Sequence, residues 1–172
     1  MRVISGKYKG KKIDGFDIDG TRPTMDRIKE SLFGMIQNNL KDSVCLDLFA
    51  GSGSLGIEAL SNGAKECYFI DNGKVVTKIL EKNIQDIDGA IFVKSDYEKF
   101  LNNTTKKFDI IFLDPPYKLN LISPAIIQIL KNDLLNSDGL IICEYETEDI
   151  KCDLELIKEK KYGNKYIKIY KK

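Results

Sequence analysis

The sequence predicts an α/β fold in which a mostly parallel, seven-stranded sheet is covered by helices on both faces. From Ser43 onward, apolar strand-like runs alternate with amphipathic helical stretches, which is typical of parallel sheets. A glycine-rich loop follows the first of these strands and opens a helix. The last two strands are separated by a short turn, so they must pair antiparallel. The sheet is therefore expected to be mixed at its C-terminal end.

The residues before this alternation form an appendage. Val3–Ile4 and Lys9–Ile13 are predicted to be the short strands of a hairpin. Thr24 suits the N-cap of a following helix, because apolar residues recur at helical spacing over Met25–Ile36. We expect one domain over residues 1–172, with an N-terminal appendage at 1–42 and a cofactor-binding and catalytic core at 43–172.

The core elements follow from the spacing of apolar residues. Strands are short and continuously apolar, whereas helices have apolar positions three or four residues apart. The predicted strands are Val44–Leu48, Cys67–Ile70, Ala90–Val93, Asp109–Leu113, Leu140–Glu144, Leu154–Lys160 and Lys165–Tyr170. The predicted helices are Leu55–Ser61, Lys74–Ile87, Tyr97–Leu101 and Ile122–Lys131.

The composition disfavours several classes of protein. Hydrophobic residues make up 42% of the chain and charged residues 31%, as is ordinary for a globular domain. Histidine is absent, so a zinc site and a histidine-based triad are disfavoured and we expect no metal. The longest apolar runs, such as Phe108–Leu113, are too short to span a membrane, and no signal peptide is recognisable. We therefore expect a monomeric, cytoplasmic protein with no membrane partner.

Positive charge gathers at both ends of a chain whose net charge is +1. Such clusters suggest a polyanionic partner, although a solvated surface explains the charge alone equally well. The residues predicted to contact nucleic acid are Lys7, Lys9, Lys11, Lys12, Arg22 and Arg27.

The most informative segment is the loop at 47–56, which reads DLFAGSGSLG. It lies between a strand and a helix, and its glycines allow the backbone to turn tightly and approach a ligand. The glycines also match the dinucleotide pattern G-x-G-x-x-G, for which Asp71 would be the ribose-binding acid. The loop thus predicts a nucleotide-like cofactor without choosing between a nicotinamide dinucleotide and S-adenosylmethionine.

Acidic residues at three strand ends favour S-adenosylmethionine. Asp47 would repel a pyrophosphate but attract the ammonium group of the methionine moiety. Asp71 suits the ribose hydroxyls, and Asp96 could accept a hydrogen bond from the adenine amino group. Each acid also precedes a helix and could instead cap it. The residues predicted to bind the cofactor are Asp47, Phe49, Gly51, Ser52, Gly53, Asp71, Asn72, Asp96 and Tyr97.

The tetrapeptide Asp114-Pro115-Pro116-Tyr117 follows the fourth strand and is predicted to be catalytic. Two prolines stiffen the backbone and remove two N–H donors, which leaves the Asp114 carboxylate and the Pro115 carbonyl as acceptors. Accepting hydrogen bonds from a planar NH2 group favours pyramidal nitrogen and aims its lone pair at a sulfonium methyl. Tyr117 offers a ring on which a flat base can stack. The alternative is that these residues form a rigid turn at the end of the strand and have no catalytic function.

Together, [DN]-P-P-[YF] and D-x-F-x-G-x-G resemble the motifs of amino-directed methyltransferases, which act on adenine, guanine or glutamine amides. The N-terminal blocks are more specific. Arg2–Gly10 and Thr21–Thr24, with Arg27, Lys29, Glu30 and Phe33, are similar to the bacterial 16S rRNA guanine-N2 methyltransferase family (RsmD type). The later segments Asp47–Leu60 and Tyr162-Gly163 also match, so the resemblance covers essentially the whole chain.

The resemblance implies a Rossmann-like class I methyltransferase fold with one antiparallel strand at the C-terminal end of its sheet. It also implies transfer of a methyl group from S-adenosylmethionine to N2 of a guanine in 16S rRNA, with ribosomal RNA or a small-subunit particle as partner. Adenine in nucleic acid and a protein glutamine are alternative targets of the same chemistry. An NAD-dependent oxidoreductase and a non-catalytic RNA-binding module are alternatives from other classes.

Overall fold

The computed structural model describes residues 1–15 and 22–172, and for residues 22–24 it describes the backbone alone. Its seven strands form one sheet in the order β3-β2-β1-β4-β5-β7-β6. The strands are β1 Val44–Asp47, β2 Glu66–Asp71, β3 Ala90–Lys94, β4 Phe108–Leu113, β5 Leu135–Tyr145, β6 Glu155–Tyr162 and β7 Lys165–Lys171. The helices are α1 Arg22–Leu40, α2 Ser54–Ser61, α3 Lys74–Ile84, α4 Tyr97–Asn103 and α5 Ile122–Lys131, with a 3₁₀ turn at Tyr117–Leu119.

Strand direction confirms the predicted fold class. Strands β1 to β5 pair with one another in parallel. Strand β7 is antiparallel to both of its neighbours, β5 and β6. The last strand in sequence is thus inserted between the two that precede it, which is possible because the two-residue turn at 163–164 folds β7 back along β6.

Two apolar cores lie on opposite faces of the sheet. The first packs against α1, α2, α3 and the N-terminal segment, and it contains Phe69 and Phe112. The second packs against α4 and α5, and it contains Phe108 and Ile111. Ile110, Ile111 and Phe112 alternate between the faces because successive side chains of a strand point to opposite sides, whereas Phe108 precedes a register shift and packs in the second core. Below, the side facing the first core is called the α1 face and the other the α5 face.

Some element boundaries differ from the sequence prediction. Strand β5 begins at Leu135, before the polar residues 136–139, because Leu135 pairs with Phe108 and the register then shifts around a bulge. Helix α3 ends at Ile84, and the predicted extension to Ile87 is a turn in which Ile87 N–H donates to the Ile84 carbonyl, 3.0 Å away. Both differences arise from backbone hydrogen bonds that the spacing of apolar residues does not predict.

The N-terminal residues do not form the predicted pair of regular strands. One isolated antiparallel bridge joins Arg2 and Lys12, and the Val3 N–H donates to the Lys11 carbonyl at 2.9 Å. On the other side of this segment, backbone N–H groups donate hydrogen bonds to side chains of α2 instead of to a second strand. Helix α1 begins at Arg22, so Thr24 lies in its first turn and is not its N-cap. Proline at the second helical position tolerates such an early start, since an N–H there has no helical partner.

No helix of the described residues is long and apolar enough to cross a membrane.

Candidate active site

The sheet order brings the glycine loop and the tetrapeptide together. Strand β4 lies beside β1, and Asp47 at the end of β1 is in register with Phe112. Asp114 therefore follows two residues beyond the partner of Asp47, at the same carboxyl edge. Open α/β sheets bind ligands at this edge.

The glycine loop passes directly over the sheet. Gly51 and Gly53 have φ angles of 54° and 82°, in the left-handed region that favours glycine. A Cβ atom at Gly53 would come within 2.7 Å of Leu80 Cδ1, and one at Gly56 within 2.3 Å of Phe69 Cε1. Glycines at these positions thus allow α2 to start close against β2.

Asp47 is held inside this loop. It is 2% exposed, and its Oδ2 atom accepts a hydrogen bond from Gly56 N–H at 3.0 Å. Burial raises the pKa of Asp47 to about 7, although the Gly56 hydrogen bond opposes the rise. Its predicted contact with a methionine ammonium stays a prediction, and a cation placed there would restore the charge that burial disfavours.

Asp71 fastens the loop from the next strand. Its Oδ2 accepts from Gly51 N–H at 3.0 Å and its Oδ1 from Gly73 N–H at 2.9 Å. The neighbouring Asn72 is exposed, whereas Ser52 is buried and its carbonyl accepts from Asn83 Nδ2 at 2.9 Å. Asp71 therefore shapes the site, and a role toward ribose hydroxyls remains a prediction.

Asp96 caps a helix, which was the alternative interpretation of the sequence. Its carboxylate accepts from Glu98 N–H at 2.9 Å and Lys99 N–H at 3.3 Å, at the start of α4. The next residue, Tyr97, packs its ring against that of Phe49, with centroids 5.1 Å apart. The structure thus brings the predicted residues Phe49, Asp96 and Tyr97 together, and the two rings provide an apolar surface suited to a flat group.

A cleft lies beyond the loop, beside the tetrapeptide. It is open to solvent, and its volume together with the solvent at its mouth is about 430 Å³. Helix α1 borders it with Met25, Ile28 and Lys29, and the start of α2 borders it with Ser54 and Leu55. The sheet contributes three charged side chains, Asp114, Glu144 and Lys165, and Met1 closes the rim.

Asp114 lies half-buried in this cleft. Burial raises the pKa of Asp114 well above its ordinary value, and the Glu144 carboxylate adds to the rise, whereas the Lys165 ammonium opposes it. Pro115 is buried and Pro116 exposed. Tyr117 is half-buried, and its hydroxyl donates to Glu144 Oε1 at 2.6 Å. Of the predicted catalytic residues, Asp114 and Tyr117 are thus linked to the cleft through their side chains.

Glu144 and Lys165 were not identified from the sequence. Lys165 Nζ lies 2.7 Å from Glu144 Oε1 and 5.1 Å from the centre of the Tyr117 ring. The rule that selected Asp47 could have found Glu144, which lies near the carboxyl end of the fifth parallel strand. Lys165 gave no such signal, because it reaches the cleft through the antiparallel insertion of β7.

The site residues fit a ligand with ammonium, hydroxyl and aromatic groups. Acidic side chains and an aromatic pair lie at the carboxyl edge, as described above. In addition, the Ser54 Oγ atom is buried and has no hydrogen-bond partner among the described residues. A buried hydroxyl without a partner is costly, so a ligand group is well placed to supply one. Within residues 1–15 and 22–172, no group of three or more His, Cys, Asp or Glu could hold a metal ion.

The N-terminal segment is anchored to α2 by a buried carboxylate. Glu58 is 0% exposed and accepts from Ile4 N–H at 2.9 Å and from Ser5 N–H at 2.9 Å. Lys29 Nζ donates to Glu58 Oε2 at 3.2 Å and to the Arg2 carbonyl at 2.7 Å. Burial lowers the pKa of Lys29, an effect that Glu58 opposes. This buried ion pair fixes α1 and the first residues of the chain at the border of the cleft.

The predicted nucleic-acid contacts lie at the surface. Lys7 is exposed and its Nζ lies 2.5 Å from Asp88 Oδ2, so part of its charge is already compensated. Lys9, Lys12 and Arg27 are exposed and Lys11 is half-buried. For these four, no salt bridge forms with another described residue. The predicted contact at Arg22 concerns a side chain outside the described residues.

Comparison with known proteins gives a match over almost the whole chain. The family model described as Conserved hypothetical protein 95 (Cons_hypoth95) matches residues 1–171. A Haemophilus influenzae protein named Ribosomal RNA small subunit methyltransferase D is 37% identical over 179 residues, which cover 99% of this chain and 93% of that protein. The Escherichia coli K12 protein of the same name is 34% identical over 178 residues, which cover 100% and 90%.

A solved structure agrees with the sequence matches. The structure of yhhF from Escherichia coli superposes with a TM-score of 0.88 at 34% identity, over 100% of this chain and 97% of that one. The similarity therefore includes the N-terminal segment as well as the sheet.

Proposed function

The chain belongs to the Cons_hypoth95 family, the S-adenosylmethionine-dependent methyltransferases of the RsmD type, and from this premise we propose that it methylates N2 of a guanine in 16S rRNA. The methyl donor is S-adenosylmethionine, so a nicotinamide-dependent oxidoreductase is no longer an alternative. An rRNA substrate would place the protein in the cytoplasm. The finer assignment to guanine N2 follows from the resemblance to the RsmD type, and the site supports transfer to an amine.

One observation supports it above the others: the acceptor-rich tetrapeptide lies in a cleft that begins at the end of the glycine loop. Ser54 and Leu55, which follow that loop, share the cleft with Asp114. A donor held by the loop and an amine held by the tetrapeptide would thus meet without any rearrangement of the sheet. S-adenosylmethionine supplies an electrophilic methyl group on sulfonium.

The residues of the chain provide position and electrostatics. The Asp114 carboxylate and the Pro115 carbonyl accept N–H hydrogen bonds from the exocyclic amine, which directs its lone pair away from the ring. The Tyr117 ring, held by its hydroxyl on Glu144, offers a stacking surface to the base. Asp47, Asp71 and the Phe49–Tyr97 pair would hold the donor. A guanine in structured RNA would have to leave its stack to enter the cleft.

The exposed lysines of the N-terminal segment would contact RNA phosphates. Their segment is tied to α2 through Glu58, so it is positioned beside the cleft. Contacts with phosphates release counterions, and this makes substrate affinity depend on salt.

The test is methyl transfer followed by identification of the product. Radiolabelled S-adenosylmethionine is incubated with protein-free small-subunit rRNA and with small-subunit particles, and the RNA is digested to nucleosides for mass spectrometry. We expect N2-methylguanosine. N6-methyladenosine, or label in ribosomal protein instead of RNA, would overturn the guanine assignment. Asp114→Ala serves as the control for contaminating activity.

A further inference from the structure

Three side chains beside Asp114 form a hydrogen-bonded cluster, and two of them make no contact with the substrate in the methyl transfer proposed above. Tyr117, Glu144 and Lys165 are called the cleft triad here. The Glu144 and Lys165 side chains are 13% and 25% exposed. Both lie on the α1 face, since Glu144 alternates with the α5-face residues Cys143 and Tyr145 and is registered with Ile167 of the α1 face. Glu144 and Lys165 therefore face the space where the substrate would enter, and Tyr117 is joined to them through Glu144.

The cleft triad has donors and acceptors that no described residue uses. The Tyr117 hydroxyl and the Lys165 ammonium both donate to the same atom, Glu144 Oε1. No described residue donates to Glu144 Oε2, and Glu144 is the one described side chain to which Lys165 donates. Ammonium groups carry three donors. The triad thus presents an acceptor and a donor next to Asp114.

This order of groups complements one edge of guanine. Along its Watson–Crick edge, guanine presents the N2 amine, the N1–H donor and the O6 acceptor in succession. We propose that Glu144 accepts from N1–H and Lys165 donates to O6 while Asp114 holds the N2 amine, so that the pair determines specificity for guanine. The inference rests on the proposed function and adds the residues that select the base. Flipped or unstacked bases are commonly recognised along this edge.

The same arrangement rejects adenine. If the N6 amine of adenine occupied the Asp114 position, its ring N1 acceptor would face the Glu144 carboxylate, and no oxygen would meet Lys165. Two acceptors facing each other leave both without a donor in a half-buried site. Sites built to hydrogen-bond a substrate group reject analogues that lack it by factors of roughly 10⁴–10⁵. The pair could therefore supply the discrimination that stacking on Tyr117 does not.

A merely structural role for Glu144 predicts a different outcome. Glu144 also holds the Tyr117 hydroxyl, so its loss could reduce methylation of every base by misplacing the ring. The chain offers a matched control in Tyr145, Glu159 and Lys168, called the surface triad here. Tyr145 donates to Glu159 Oε1 at 3.1 Å, and Lys168 Nζ lies 3.6 Å from the same oxygen. Tyr145 and Lys168 lie on the α5 face of the sheet, away from Asp114.

The experiment compares two bases that carry the same amine. After the methylated nucleotide is mapped, small-subunit RNA is ligated with either guanosine or 2-aminopurine at that position. 2-Aminopurine keeps the 2-amino group but lacks O6 and has an acceptor at N1. Single-turnover methylation is measured with the wild type, Glu144→Gln, Lys165→Met and Glu159→Gln. The ratio of the two rates is internal to each variant and is insensitive to partial loss of folded protein.

We expect the wild type to prefer guanine by about 10²-fold or more. In Glu144→Gln, the donors of Tyr117 and Lys165 hold the amide oxygen, which turns the amide NH2 toward N1, so the preference should fall by about 10²-fold. Lys165→Met should lower methylation of guanine more than that of 2-aminopurine, and Glu159→Gln should leave the ratio unchanged. Equal loss on both bases in Glu144→Gln would overturn the inference. Absence of guanine methylation by the wild type would instead overturn the proposed function.

Discussion

The cleft triad and the surface triad each consist of a tyrosine, a glutamate and a lysine with similar contacts, but they lie in different surroundings. The lysine Nζ lies 5.1 Å from the tyrosine ring centre in the cleft triad and 5.3 Å in the surface triad. The glutamate side chain is 13% exposed in the first and 47% in the second. Exposed ion pairs contribute little to stability, usually less than about 1 kcal/mol. The two triads differ in what they face, since the cleft triad lies beside Asp114 and the surface triad does not.

The largest effect is expected at the neighbour of the cleft triad. Asp114→Ala removes the acceptor that we propose orients the amine, so single-turnover methylation should fall by roughly 10²-fold or more. Affinity for S-adenosylmethionine, measured by calorimetry, should change little. Asp114→Asn should be milder because an amide oxygen still accepts a hydrogen bond. Near-normal turnover of Asp114→Ala would mean that the tetrapeptide is a rigid turn without a catalytic role.

The next largest effect is expected to distinguish Tyr117 of the cleft triad from Tyr145 of the surface triad. Tyr117→Ala removes a stacking surface worth roughly 1–3 kcal/mol, so the KM for RNA should rise about fivefold to 150-fold. Tyr117→Phe keeps the ring and should retain most of the activity. Tyr145→Phe removes the equivalent hydroxyl from the surface triad and should leave steady-state methylation unchanged. If Tyr117→Ala leaves the KM for RNA unchanged, or if Tyr145→Phe raises it as much as Tyr117→Ala does, the contrast between the triads fails.

The dependence on pH tests the charges around Asp114. Burial and Glu144 raise the pKa of Asp114, and Lys165 opposes the rise. Methylation should therefore fall, as pH is lowered, at a pH above the ordinary range of aspartate, because protonation weakens the acceptor. Glu144→Gln removes a negative neighbour and should move this fall to lower pH, whereas Lys165→Met should move it to higher pH. Glu159→Gln should not move it in a pH–rate profile measured under single-turnover conditions.

The smallest effect is expected from the lysines outside both triads. Replacement of Lys7, Lys9, Lys11 and Lys12 by alanine should raise the KM for rRNA and flatten its dependence on salt concentration. Lys7 should contribute less than the others because Asp88 already pairs with it. Filter binding over a salt series measures the slope. An unchanged slope would make this segment a structural cover without RNA contacts.

The segments of the candidate site that are contiguous in the chain could be placed together from the sequence. The glycine loop and the tetrapeptide each follow a parallel strand, and the carboxyl edge of a sheet collects such segments by topology. The cleft triad could not be predicted in this way, because Lys165 meets Glu144 only through the insertion of β7 between β5 and β6. Asp96 shows the opposite limitation. Its position was predicted, but its capping bonds to α4 depend on backbone geometry that residue type alone leaves open.

The insertion of β7 also has a consequence for the newly made chain. Synthesis completes β5 at Tyr145, but the strand that covers its free edge begins at Lys165. At about 5–20 residues per second, the ribosome leaves that edge uncovered for on the order of one to four seconds. Strand β6 is synthesised before β7, although β7 separates it from β5 in the folded sheet. Direct pairing of β6 with β5 is therefore a competing misfold until β7 has been made. The five lysines and glutamates of β6, which are poor partners for an apolar edge, would discourage that error during translation.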